Sequence, residues 1–154
     1  MVAFPFFFMM FAIMEIALIF VTNSILENAV QESGRLVRTG QADNAGLTAE
    51  QFKTELCSRM SIFSGDCPGR AFVDVREIPQ FRAPGTTGPM AGGTFDESGL
   101  DIQPGDPGSL MLVRVWYRQP LVTPYLNQSL SRLNDNNAVL TISTAFRNEP
   151  YEQS

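Results

Sequence analysis

The chain begins with an apolar run that extends from Val2 to Val21 and is interrupted only by Pro5 and Glu15. Twenty helical residues span about 30 Å, which matches the hydrocarbon core of a bilayer. A cleaved signal peptide is the alternative, but it would need a basic start and a small-x-small cleavage site, and neither pattern is present. The run therefore predicts a membrane-spanning helix.

The apolar pattern continues beyond residue 21, but along one side of the predicted helix. Apolar and small residues recur at helical spacing at Ile25, Leu26, Ala29, Val30, Ser33, Leu36 and Val37. Polar residues take the other side at Asn23, Glu27, Gln31, Glu32, Arg35 and Arg38. This spacing is typical of an amphipathic helix. We predict one helix from about residue 3 to 39, roughly 55 Å long, whose second half packs on a folded head.

Pro5 and Glu15 are the candidate assembly residues of this helix. Pro5 fits the first helical turn without losing a hydrogen bond, or kinks the helix if more chain precedes it. A carboxylate at bilayer depth costs about 2.5–3.5 kcal/mol on insertion scales, so Glu15 needs a partner or a special environment. Either Glu15 is protonated or faces a water-lined interface, or it pairs with a polar group of a neighbouring subunit and fixes the axial register.

A second helix is predicted near the start of the head. Thr48 is a capping residue, and Gln51 follows three positions later as in a capping box. An apolar face then continues through Phe52, Leu56, Met60 and Phe63. The pattern predicts a helix to about residue 63 whose apolar face belongs to the core.

Cys57 and Cys67 are the two cysteines of the chain. In an oxidising compartment they would form a disulfide that ties the end of this helix to the next strand, worth about 3 kcal/mol in the chain-entropy model. Two free thiols are the alternative. Two cysteines without histidine cannot supply a four-ligand metal site, so we predict none.

Three segments have the alternation and β-branched content of strands, namely residues 71–76, 111–118 and 139–146. Pro120 and Pro124 bracket a turn or short helix after the second. Because no long helical crossover separates these segments, we predict an antiparallel sheet packed on the second half of the long helix. The fold class is α+β, with an assembly helix at 1–40 and a head at 41–154.

Residues 79–109 form a long Gly/Pro-rich stretch, with five Pro and seven Gly in 31 residues. Loops of this length are commonly functional or disordered. Its acids, Asp96, Glu97, Asp101 and Asp106, suggest a calcium site, but their spacing matches no twelve-residue calcium loop. We interpret the stretch as a solvated loop or a contact arm to a neighbour.

Composition excludes several classes of function. The chain has no His, which excludes His-based catalytic triads and His-ligated metal sites. Its 11 basic residues against 16 acidic ones give a net charge of −5, which does not suit nucleic acid. We find no nucleophile–base pair and no phosphate-binding glycine motif, so we predict no enzyme, cofactor or small-molecule substrate.

Four short motifs carry a resemblance to a known family. They are Val2-Ala3-Phe4-Pro5, Glu15-Ile16, Asn28-Ala29-Val30-Gln31-Glu32 leading to Gly34-Arg35, and the ending Ala145-Phe146-Arg147-Asn148-Glu149-Pro150-Tyr151. In these the sequence resembles the TadE-like proteins, pilin-like components of the bacterial tight-adherence (Flp) pilus system. The resemblance is specific over about residues 2–40 and weak across the middle.

The resemblance implies a minor pseudopilin anchored in the inner membrane, with its head in the periplasm, that passes into or primes a filament. It implies as partners the major Flp pilin, sister pseudopilins, the prepilin peptidase and the assembly platform. In the family the cleavage motif and a first Glu precede the equivalent of Val2–Pro5. We therefore expect a processed or shortened chain, or a start assigned late, with Glu15 as the acid of the apolar segment.

Two functional hypotheses follow. The first is a pilin-like structural subunit for surface adherence, embedded in lipid and assembled through helix–helix packing. The second is a membrane-anchored adhesin or binding module that presents the 79–109 loop.

Overall fold

The computed structural model describes residues 3–39, 48–82, 88–91, 93–103, 105–123, 130, 133 and 135–150. Its helices are α1 (Ala3–Arg38), α2 (Ala49–Ser58), a 3-10 turn (Ser61–Phe63) and the short α3 (Cys67–Arg70). Its strands are β1 (Ala71–Glu77), β2 (Met90–Ala91), β3 (Thr94–Phe95), β4 (Leu110–Pro120) and β5 (Asn137–Arg147). The α+β prediction is confirmed. The proposed boundary between residues 40 and 41 lies outside the described residues.

Helix α1 is continuous over 36 residues, about 54 Å. Its buried residues begin at Thr22 and continue to Val37, which is the half predicted to pack on the head. The C-terminal carbonyls need partners, and Arg38 O accepts a hydrogen bond from Glu149 N at 2.9 Å. The segment after β5 therefore closes back onto the end of the long helix.

The main sheet is antiparallel with strand order β1-β4-β5. All 11 residues of β4 pair with β5, from Leu110 opposite Arg147 to Pro120 opposite Asn137. One face of the sheet packs on α1 and α2. The core that results contains Leu26, Val30, Val37, Phe52, Leu56, Met60, Val75, Met111, Val113, Val115 and Tyr117. The second half of α1 and the sheet thus share one hydrophobic core.

Helix α2 starts as predicted and ends earlier. The Thr48 hydroxyl accepts from Gln51 N, and the Gln51 side chain accepts from Thr48 N, which completes the capping box. The helix ends at Ser58 instead of near residue 63 because Ser61 has a φ of 50°, which an α-helix cannot include. Met60, just before the 3-10 turn, remains fully buried, and Phe63 packs against the core, so the predicted apolar face is retained.

A disulfide joins Cys57 and Cys67, whose Cα atoms lie 5.4 Å apart. It connects the last turn of α2 to the start of α3, and both cysteines are buried. Helix α3 leads directly into β1. The bond therefore fixes α2 relative to the edge strand of the sheet.

The described part of the 79–109 stretch is largely exposed and irregular, as in a solvated loop, but it also contacts the sheet. Its residues 94 and 95 pair with 90 and 91 as a small hairpin, and Ile102 forms a parallel bridge with Val75 of β1. The ring of Phe95 lies 4.7 Å from that of Phe72 and 6.3 Å from that of Trp116. Because this segment covers the outer face of the sheet, β4 is buried on both faces from residue 111 to 117.

Candidate assembly site: the exposed helix and the loop at Glu15

The N-terminal half of α1 makes few contacts with the rest of the described chain. It is long and apolar enough to cross a membrane, and none of its most apolar 18-residue window is buried. The exposed large side chains are Phe4, Phe6, Phe7, Met9, Met10, Phe11, Ile13, Met14, Ile16, Leu18, Phe20 and Val21. Such a surface is stable only against lipid or against other apolar surfaces.

The exposed large apolar side chains of α1 end at Val21. Thr22 is fully buried, and its hydroxyl donates to the carbonyl of Leu18 at 2.8 Å, so this polar side chain is satisfied within the helix. Leu26, one turn later, is also fully buried. The structure therefore divides α1 at about residue 22, as the sequence pattern predicts.

Glu15 lies in the exposed half but contacts its own head. Its Oε2 accepts a hydrogen bond from Thr123 N at 2.8 Å, and its Oε1 accepts one from Val122 N. These donors belong to the loop that follows β4. The partners of Glu15 in the structure thus belong to the same chain, which the sequence patterns do not suggest.

Glu15 and this loop border an apolar cleft of about 470 Å³. The cleft is lined by Phe8, Phe11, Met14, Glu15, Leu18, Val122 and Thr123. Val122 is 87% exposed although it is apolar. The apolar surface of the helix therefore continues onto the head through this loop.

Pro5 lies in the first turn of α1 as described, where its missing N–H removes no intrahelical hydrogen bond, and it is exposed. Helix α1 runs through it without a break in hydrogen-bonded structure. Nothing in the structure brings Pro5 close to Glu15, which is ten residues further along the helix. The assembly roles of both residues remain predictions.

Residues 1–35 match the TadE-like protein family. The N-terminal segment of this chain is TadE-like. Neither the comparison with curated proteins nor that with solved structures finds a match. The TadE-like segment contains Pro5, Glu15 and all of the exposed half of α1, and it reaches Gly34 and Arg35, where α1 is already packed on the head.

Two of the described acids of the 79–109 stretch accept hydrogen bonds from their own segment. Asp96 accepts from the Ser98 hydroxyl at 2.6 Å and from Ser98 N, and these bonds lower the pKa of Asp96. Asp101 accepts from Ile102 N at 2.8 Å and from the Gln103 amide at 3.0 Å. Among the described residues, no group of three potential metal-binding side chains is found.

A buried ionic cluster lies outside the TadE-like segment and was not predicted. Asp74 is fully buried, and its Oδ2 accepts from Arg114 Nη2 at 2.8 Å, while its Oδ1 accepts from Arg76 Nε at 2.6 Å. Asp101 N donates to the same Oδ1 at 3.1 Å. The cluster therefore fastens the 79–109 stretch to the outer face of the sheet. The sequence signal that could have indicated this cluster is the opposite charge of Asp74 and Arg114, which lie in two of the predicted strands and are paired in the sheet.

Proposed function

We propose that this protein is a pilin-like structural subunit of a Tad-type pilus, either a minor pseudopilin or a filament subunit. The exposed half of α1 anchors it in the inner membrane as a single pass, with the head in the periplasm. In the filament, the same half of α1 would pack among other subunits. A Tad-pilus relationship implies contact with other pilus components, and we propose pilins, sister pseudopilins, the prepilin peptidase and the assembly platform as partners.

One observation carries this proposal. The TadE-like match covers a helix whose first half is exposed and apolar and whose second half is built into the head. This division suits a subunit that exchanges lipid contacts for helix contacts, because the head does not need to unfold or rearrange. The many exposed Phe and Met side chains provide large and adaptable packing surfaces.

The first experiment locates the protein. Surface appendages are sheared from cells that express the full chain, and the sheared and membrane fractions are analysed by intact mass and N-terminal sequencing. A filament subunit is recovered in the sheared fraction, whereas a pseudopilin primer remains in the membrane with assembly proteins. Recovery in neither location would contradict the proposal.

The second experiment tests the assembly role of Glu15 by Glu15→Ala. Glu27→Ala is the matched control, since Glu27 is an exposed acid on the head half of the same helix. We expect Glu15→Ala to lower the incorporated fraction severalfold and Glu27→Ala to leave it unchanged. Fluorescence of Trp116, the single Trp of the chain, reports whether the head stays folded. Equal incorporation of both variants would remove Glu15 from the assembly mechanism.

A further inference from the structure

We propose that the Leu121–Thr123 loop is a membrane-inserted element, held against the anchor helix by Glu15 and in contact with acyl chains of the head-side leaflet. The proposal rests on the membrane anchoring described under the proposed function. It adds a second, non-helical point of insertion and a role for Glu15 within its own subunit.

The depth of the loop follows from its contact with Glu15. The apolar run continues for six residues beyond Glu15, to Val21. Six helical residues correspond to about 9 Å along the axis. If the run is immersed to its end, Glu15 lies below the boundary of the hydrocarbon core. Thr123 N is only 2.8 Å from the Glu15 carboxylate, so the loop lies at the same depth.

The side chains between Glu15 and Thr22 favour a position of α1 in which the apolar run lies in the hydrocarbon core as far as Val21. Ile16, Leu18, Phe20 and Val21 are 38%, 54%, 70% and 47% exposed in the isolated chain. Raising the helix until Glu15 reached the surface would leave all four in water. Both oxygens of Glu15, by contrast, already accept hydrogen bonds, which lowers the cost of keeping this carboxylate out of water.

Non-helical backbone at membrane depth needs its N–H and C=O groups satisfied, and the N–H groups of this loop meet their part of that requirement. Leu121 N donates to the carbonyl of Asn136 at 3.1 Å, and the next two N–H groups donate to Glu15. The flanking residues, Pro120 and Pro124, have no N–H to satisfy. Each backbone N–H of residues 121–123 therefore has an acceptor.

The side chains of the loop also suit hydrocarbon. The segment 120–124 carries no charged residue, and Val122 is 87% exposed next to the apolar cleft. The cleft opens between this loop and Phe8, Phe11, Met14 and Leu18 of the anchor. A lipid acyl chain is the occupant that this position implies, because the cleft is continuous with the surface that faces the bilayer.

The test measures the depth of residue 122 in vesicles of phosphatidylethanolamine and phosphatidylglycerol, at about one copy per vesicle. A fluorophore is placed on Val122→Cys in the full chain without reductant, so that the Cys57–Cys67 disulfide does not react. This substitution does not remove the bonds to Glu15, which the backbone makes. Met14→Cys on the anchor and Ile62→Cys, an exposed position of the head, are the controls.

We expect brominated acyl chains to quench the labels at positions 122 and 14, and aqueous iodide to quench position 122 severalfold less than position 62. If iodide quenches positions 122 and 62 equally while position 14 is quenched by lipid, the loop proposal is overturned and the anchor stands. If iodide also quenches the label at position 14, the membrane anchoring by α1 is itself contradicted. If position 122 is shielded from both quenchers, and this shielding disappears on dilution, the cleft is covered by a second copy of the chain. That result would overturn the proposal that a lipid acyl chain occupies it.

The role of Glu15 is tested in the same vesicles. Glu15→Ala removes both acceptors, so iodide quenching at position 122 should rise severalfold while position 14 is unchanged. Glu27→Ala should leave both positions as they were. An unchanged depth of position 122 in Glu15→Ala would show that Glu15 does not hold the loop.

Discussion

The buried carboxylate of Asp74 should be one of the most sensitive positions of the head. Asp74→Ala removes a side chain that is fully buried and that accepts from both Arg114 and Arg76. The side chain of Arg114 is only 9% exposed, so water cannot replace the lost carboxylate. The substitution also removes the acceptor for Asp101 N, one of the attachments of the 79–109 stretch.

Breaking a buried ion pair by removing one partner costs about 3–5 kcal/mol. Domains are stable by about 5–15 kcal/mol, so the loss is a large share of the total. The exposed pair Arg118–Asp135, with side chains 31% and 35% exposed, provides the matched control. Asp135→Ala should cost less than about 1 kcal/mol because water screens that pair.

The assay is urea unfolding of the full chain in detergent micelles, followed by circular dichroism and by Trp116 fluorescence. The two probes are both needed because the Arg114 guanidinium lies 5.0 Å from the Trp116 ring. The double variant Asp74→Leu/Arg114→Met, which replaces the charges by apolar groups of similar volume, should recover most of the loss. If Asp74→Ala costs no more than Asp135→Ala, the cluster does not stabilise the fold and the reasoning is refuted.

Three further predictions concern the rest of the head. Reducing the Cys57–Cys67 disulfide should lower the free energy of unfolding by about 3 kcal/mol, measured by urea unfolding with and without reductant; an unchanged midpoint would contradict this. A Cβ at Gly34 would lie 3.4 Å from Phe146 Cε1, an ordinary contact, so Gly34→Ala should stabilise the head by up to about 1 kcal/mol, whereas Gly34→Leu should destabilise it by about 1–3 kcal/mol. Destabilisation by both variants would mean that α1 and β5 are closer than described. Burial raises the pKa of the Tyr117 phenol, so the neutral phenol is favoured in the folded state. The contribution of Tyr117 to the free energy of unfolding is therefore fully present below the unfolded pKa of about 10 and is lost as pH rises through the folded pKa. Tyr117→Phe should weaken the loss of stability at alkaline pH, and an identical pH profile would exclude Tyr117 as its source.

Local patterns predicted the helices and strands well. The division of α1 at residue 22 follows from a change in side-chain periodicity, and the three main strands follow from alternation. Cys57 and Cys67, the two cysteines of the chain, were predicted to pair in an oxidising compartment, with two free thiols as the alternative. Each of these features depends on residues close in the sequence, which is why the sequence alone could indicate them.

The features that were not predicted depend on contacts between distant segments. Alternation in β1 and β4 marks Asp74 and Arg114 as solvent-facing, and they become buried because residues 88–89 and 96–101 pack beside them. The contact of Glu15 with Val122 joins residues 107 positions apart. A Gly/Pro-rich stretch has no periodicity from which such packing could be inferred.

The packing of this stretch also changes how the adhesin hypothesis can be tested. Deleting residues 85–105 would remove Phe95 and uncover Trp116 and Asp74, so loss of attachment could reflect an unstable head. Substitution of an exposed side chain such as Glu97 avoids this problem. If the stretch binds a target, such variants should lose attachment while the unfolding midpoint stays unchanged.

The unbroken course of α1 has a mechanical consequence. Residues 3–21 and the residues that form part of the core of the head lie on one helix. A pulling force on the anchor therefore reaches the hydrophobic core directly, because the helix continues into it without an intervening linker. Failure under load would require α1 to shear past β5, against the close approach at Gly34 and the bond between Arg38 O and Glu149 N. We therefore expect the head and the exposed half of α1 to move as one body under load.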